Sequence, residues 1–191
     1  MVERVDVVDK RGKTCMTRTR TDVHKSGLLH QAVFVLVFNK RGEVFVQQRS
    51  SKKDVFPGLH EASLSGHVKS GETPLQAAVR ETKEEVGLTI KASMLKKRFT
   101  TVIKTVPEYE RITVYMMTTD KEPKPGREVK VGTFMPAGML DAIVRSEPDV
   151  FTPVFCALAP RLRTFLVRAP SYQGPRSLAA RRTSRRPRAS A

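Results

Sequence analysis

The 191-residue chain reads as an α/β protein, a sandwich of helices around a mixed β-sheet, on three observations. Apolar, β-branched runs such as AVFVLVF at 32–38 and EVFVQQR at 43–49 have the length and composition of strands. One segment carries both ends of a helix: Thr73 is a good N-cap, Pro74 suits the first helical position, and Gly87 is a natural C-cap. Strand-like stretches lie before and after that segment, and a second cap-then-proline signal opens a last helix, an alternation that places helices against a sheet. The length suits one domain with a real core, expected over residues 1–167.

The elements follow in order. Residues 2–8 and 14–19, around a turn at Gly12, read as a β-hairpin. Thr21 and Asp22 are candidate caps of a short turn ending at Gly27, and 32–38 and 43–49 form a second hairpin across the turn 39–42. Residues 50–62 read as a loop with its turn at Pro57-Gly58. The helix from Pro74 then presents Leu75, Ala78, Val79, Thr82 and Val86 within an arc of roughly 100°, a face able to pack on a sheet. Residues 88–90 read as a short edge, 99–106 and 111–119 as strands flanking PEYE, 129–135 as another strand and 139–145 as a helix. Thr152-Pro153 starts a final helix towards Val167, with Pro160 as a kink point. No internal repeat is visible.

Composition narrows the class. Hydrophobic content of 39% with 28% charged residues is ordinary for a globular protein, and no apolar run has the length of a membrane span. Cys15 and Cys156 give no disulfide framework, and the first residues read as a strand start rather than a signal, so a cytoplasmic, reducing location is expected. The net charge of +16 is uneven: seven arginines and no acid lie from Arg168 onward. That Arg/Ser/Ala/Pro-rich tail, 168–191, is expected to be disordered and is the one segment suited to nucleic acid.

Chemistry concentrates between Gly66 and Leu88. Glu81, Glu84 and Glu85 fall on one helical face, because positions three and four apart are neighbours. Three like charges repel, yet together they make a ligand set for a hard divalent cation, magnesium or manganese, that also coordinates phosphate. Gly66 and Gly71 bracket the preceding loop, where a backbone carbonyl can reach such an ion.

Gly66, Glu72, Arg80, Glu81, Glu84, Glu85 and Gly87 fill every fixed position of G-x5-E-x7-R-E-U-x-E-E-x-G-U, a coincidence expected roughly once in 10^8 starting points. Leu88 fills the last apolar position, and Thr82 alone departs, polar where an apolar residue is usual. The segment resembles the Nudix box of hydrolases that cleave diphosphates linked to another moiety. The resemblance implies a Nudix-type sandwich with Glu84 and Glu85 as principal metal ligands and Glu81 as a further ligand or general base. Arg80 would orient the carboxylates by a bidentate pair, and Glu72 would brace the loop. A small-molecule diphosphate is the implied substrate. Arg49, ending a strand beside the site, is a candidate phosphate contact.

The runs HKSGLLHQAVFVLVFN, QQRSSKKDVFPGLHEASLSGHV and DVFTPVF resemble the Nudix branch close to isopentenyl-diphosphate isomerase. That likeness makes His24, His30, His67, Glu108 and Glu110 a candidate second metal site. It also puts Ser65 where the isomerases carry a cysteine, and a hydroxyl is a far weaker proton donor than a thiol. Three readings stand: a metal-dependent diphosphohydrolase, an isomerase-like enzyme, and a noncatalytic nucleotide- or RNA-binding protein using the arginine tail.

Overall fold

A computed structural model describes residues 2–166; the expected tail and the domain boundary at 167 lie outside the described residues. The strands are β1 (Arg4–Val8), β2 (Thr14–Thr19), β3 (His30–Phe38), β4 (Glu43–Arg49), β5 (His60–Ala62), β6 (Leu64–His67), β7 (Lys96–Lys104), β8 (Tyr109–Thr118) and β9 (Val129–Pro136). The helices are α1 (Arg20–Lys25), α2 (Pro74–Val86), α3 (Ala137–Ser146) and α4 (Pro153–Leu166).

All nine described strands join one mixed sheet organised on β3. β3 runs parallel to β8 along its whole length and antiparallel to β6, while β4 carries both β5 and β9. Side chains alternate across a strand, so β3 feeds two cores. Ala32, Phe34, Leu36 and Phe38 pack with Leu140 and Val144 of α3 and with Phe155, Leu158 and Leu162 of α4. Val33, Val35 and Val37 pack on the other face with Ala77, Ala78 and Val86 of α2 and with Leu64 and Tyr115. A helical layer therefore covers each face, the expected sandwich. No helix among the described residues is long and apolar enough to cross a membrane.

Several local expectations are corrected. α1 is capped by Thr19, whose hydroxyl accepts from the Asp22 amide, since the helix follows β2 without a gap and takes Thr21 and Asp22 into its first turn. The expected loop 50–62 contains β5, a strand of three residues that exists only because β4 pairs with it. Residues 88–90 form no strand; Leu88 and Ile90 instead join the α2 core. The final helix stands as read: α4 runs from Pro153 through Pro160 to Leu166, and Thr152 caps it by accepting from the Phe155 amide.

Candidate active site and cation-binding cleft

α2 begins at a reciprocal cap: the Thr73 hydroxyl accepts from the Gln76 amide at 3.3 Å, and the Gln76 carbonyl accepts from the Thr73 amide at 2.9 Å. Gly87 ends the helix in the left-handed region at φ 67°, where glycine alone adds no strain. On this fixed helix Arg80 is the hub. Its Nε and Nη2 each donate to one Glu72 oxygen at 2.8 Å, Nη1 donates to Glu81 at 2.5 Å and to Glu84 at 3.1 Å, and Nη2 also reaches the His67 carbonyl at 2.9 Å. The bidentate pair expected for Arg80 is thus made with Glu72. Glu72 also accepts from the Lys69 amide at 3.1 Å, which ties the loop to the helix.

The three acids differ in setting. Glu84 is half in solvent, its side chain 53% exposed, whereas Glu81 and Glu85 are buried. Gly66 of β6 makes room for Glu81: a Cβ there would collide with the Glu81 carboxyl carbon. Glu85, 2% exposed, is held by Gln47, whose amide donates to Oε2 at 2.8 Å. Burial, with repulsion from Glu85 and Glu84, pushes Glu81 up to about 8 against the pull of Arg80. Burial, with repulsion from Glu61, likewise pushes Glu85 up to about 7 against the pull of Lys53.

These values set a pH dependence. Above pH 6.5 the unfolded chain's carboxyls, ordinary value 4.5, are ionised, while the metal-free folded protein still holds protons on Glu81 and Glu85. The folded state then binds more protons, so its stability falls as pH rises through about 6.5–8.5. Half-buried His24 and buried His30 act in the opposite direction only below their ordinary value of 6.5. Melting curves in EDTA should therefore drop by a few degrees between pH 6.5 and 8.5, and Mn2+ should stabilise most at the upper end. A profile in EDTA that rises over that interval would contradict the assignment.

The sheet's register assembles a second cluster. His30 of β3 lies opposite Glu110 of β8, and His67 of β6 lies opposite Ala32; α1 adds His24 and the turn before β8 adds Glu108. One ligand atom from each of His24, His30, His67 and Glu108 falls within 4.8 Å of the others. Glu110 sits 3.7 Å from His67 and 3.9 Å from His30. His30 Nδ1 lies 3.0 Å from the Leu28 carbonyl, which can only accept, so this nitrogen carries the proton. Burial lowers His30 to about 4, so the ring is neutral and its Nε2 lone pair faces the cluster. Both His30 Nε2 and Glu108 Oε2 are buried without a hydrogen-bond partner among the described residues. A neutral imidazole fixed through its far nitrogen, beside an orphaned carboxylate oxygen, fits a divalent cation. Three imidazoles suit manganese better than magnesium; the box carboxylates suit either.

Glu81, Glu84 and Glu85 and, from the second cluster, His67, Glu108 and Glu110 line one cleft of about 320 Å³, which also takes in Arg49, Lys53, Glu61, Ser65 and Arg127. Arg49 is buried: Nη1 donates to Glu61 at 3.2 Å, Nη2 to the Val55 carbonyl at 2.9 Å, and Nε has no partner among the described residues. Sequence reasoning missed Glu61, Gln47 and Lys53. Glu61 hid in the supposed loop, although HEA preceding a β-branched-poor but buried stretch offered no periodic signal. Gln47 and Glu61 stand opposite one another in the β4–β5 register, a pairing no local pattern announces.

A mixed sheet between helical layers, with carboxylates lining a cleft and a cluster of three imidazoles that reaches it through His67, defines an α/β protein built to hold divalent cations. Residues 28–151 match the NUDIX domain profile, and the chain belongs to that family. It is 35% identical over 88 residues to an uncharacterised Nudix hydrolase of Yersinia pestis, the match covering 46% of this chain and 48% of the relative. It is 30% identical over 158 residues to isopentenyl-diphosphate Delta-isomerase 2 of Photorhabdus laumondii, covering 81% of this chain and 89% of that one. The chain spans about half the length of the Yersinia relative and of an uncharacterised Nudix hydrolase of Listeria innocua. The crystal structure of DR0079 from Deinococcus radiodurans superposes with a TM-score of 0.69 at 24% identity, over 83% of this chain and 98% of that one, a likeness of fold.

Proposed function

We propose that the protein is a metal-dependent diphosphohydrolase that cleaves the phosphoanhydride of an organic diphosphate by attack of water. The observation that carries this reading is the Arg80 hub, which gathers Glu72 of the preceding loop with Glu81 and Glu84 of a helix whose remaining acid, Glu85, is buried at the cleft. In this reading Glu84, Glu85 and Glu81, with the Gly66 carbonyl, hold Mg2+ or Mn2+. Bound there, the ion supplies charge neutralisation of the diphosphate and acidifies a water. Arg80 keeps the carboxylates in place, Glu72 fixes Arg80, and a carboxylate of the cluster takes the proton from the attacking water. Arg49, with its Nε unpartnered at the cleft, contacts a phosphate oxygen.

A second reading has its own support. The histidine cluster and the 30% likeness to an isomerase support a reading as an isopentenyl-diphosphate isomerase-like enzyme, in which the cleft would shift a double bond. Ser65 weighs against it, since a serine hydroxyl in the cleft cannot match a thiol as proton donor. One assay separates the two. Incubated with Mn2+ and a panel of nucleotide, sugar and prenyl diphosphates, the protein should release phosphate or a monophosphate, and EDTA should stop it. Conversion of isopentenyl to dimethylallyl diphosphate without phosphate release would favour the isomerase.

A further inference from the structure

Glu85 has two carboxylate oxygens and almost no solvent. Oε2 accepts from the Gln47 amide at 2.8 Å, and Oε1 faces the ammonium of Lys53 at 3.5 Å. Lys53 comes from the segment between β4 and β5, and its side chain is only 19% exposed. A second carboxylate, Glu128, grips the same ammonium. The segment is itself fastened to the cleft: the Ser50 amide donates to the Glu128 carbonyl at 2.9 Å, Arg49 holds the Val55 carbonyl, and Arg20 of α1 pairs with Asp54 at 3.2 Å. The lysine is therefore delivered to Glu85 rather than resting there by chance of a loose surface chain.

A carboxylate this buried needs a cation, and Oε1 has no hydrogen-bond donor other than Lys53 among the described residues. We propose that Lys53 is the built-in counter-ion of Glu85, occupying the position at Oε1 that a divalent cation takes over, so that Lys53 sets the metal affinity of the cleft. This inference rests on the assignment of Glu85 as a metal ligand. The exchange is one of charge for charge. In the metal-free protein the ammonium offsets the buried carboxylate; when the ion arrives, Lys53 withdraws towards Glu128, which lies nearer to solvent. Lys53 is thus a positioning residue acting through Glu85, and it raises the concentration of ion required to load the site.

The test is a Mn2+ titration of the full chain, read by electron paramagnetic resonance of the free ion at fixed pH and ionic strength. Lys53→Met should lower the Kd for Mn2+ by about tenfold, and Lys53→Arg, which keeps the charge, should stay within about twofold of the parent. An unchanged or raised Kd in Lys53→Met, in protein whose circular dichroism matches the parent, overturns the proposal. Glu85→Gln provides the control for the underlying reading: if it binds Mn2+ as well as the parent does, the ligand assignment fails, whatever Lys53→Met shows.

Discussion

Replacing Glu85 by Gln should lower diphosphate turnover about a thousandfold while raising the melting temperature of the metal-free protein at pH 8. The two signs differ because the carboxylate is placed for charge rather than for stability. Glutamine keeps the volume and an oxygen to accept from Gln47, so the packing around Val86 and the rest of the α2 core is undisturbed. What disappears is the negative charge. Buried in the folded state and repelled by Glu61, that charge is held back to about pH 7, so the folded protein is strained by it at pH 8. Loss of the Lys53 contact subtracts little, since Glu128 still holds the ammonium. Steady-state kinetics with Mn2+ and thermal melts in EDTA measure both halves. Turnover above a tenth of the parent's would remove Glu85 from the mechanism, and a lower melting temperature would show that the carboxylate is structural.

Gly66→Ala should be the most damaging single-methyl change in the cleft. Gly66 needs space rather than an unusual backbone: β6 packs so closely on α2 that a Cβ would collide with the Glu81 carboxyl, including the Oε1 that Arg80 grips. Glu81 must leave, and it drags the Arg80 hub with it. Overpacking of this kind costs about 1–3 kcal/mol, and activity should fall about a hundredfold as the carboxylates lose their common anchor. Urea titration gives the stability and initial rates give the activity. Shortening the obstruction separates the two effects: Gly66→Ala with Glu81→Ala should recover stability without recovering turnover. Persistent instability in the double variant would place the clash elsewhere.

The parts of the site that sequence disclosed are those whose physics is local. Thr73, Pro74 and Gly87 bound α2 as read, because caps and left-handed ends are decided within four residues. The apolar stripe packs on the sheet as read. Ala78, Thr82 and Val86 are buried as expected and Leu75 and Val79 are half-buried, yet Glu81 and Glu85 are buried too, on the face read as the acidic one. The helix lies in a groove with protein on both sides, so polarity alone could not identify its wet face. The histidines were nameable only by likeness to a family. Their convergence depends on the parallel β3–β8 register and on β6 returning beside β3, relations between segments up to eighty residues apart. Lys53 and Gln47 carried no signal of any kind, since their importance comes entirely from the Glu85 carboxylate they meet.

The central strand's division of its side chains between two cores has a practical outcome for engineering. Leu140, Leu158 and Leu162 belong wholly to the layer behind the sheet and line none of the cleft. Redesign at those three positions can make the scaffold more heat-resistant, leaving ion and substrate preferences to be tuned separately at the cleft, where Val154 and Phe56 of the same core emerge.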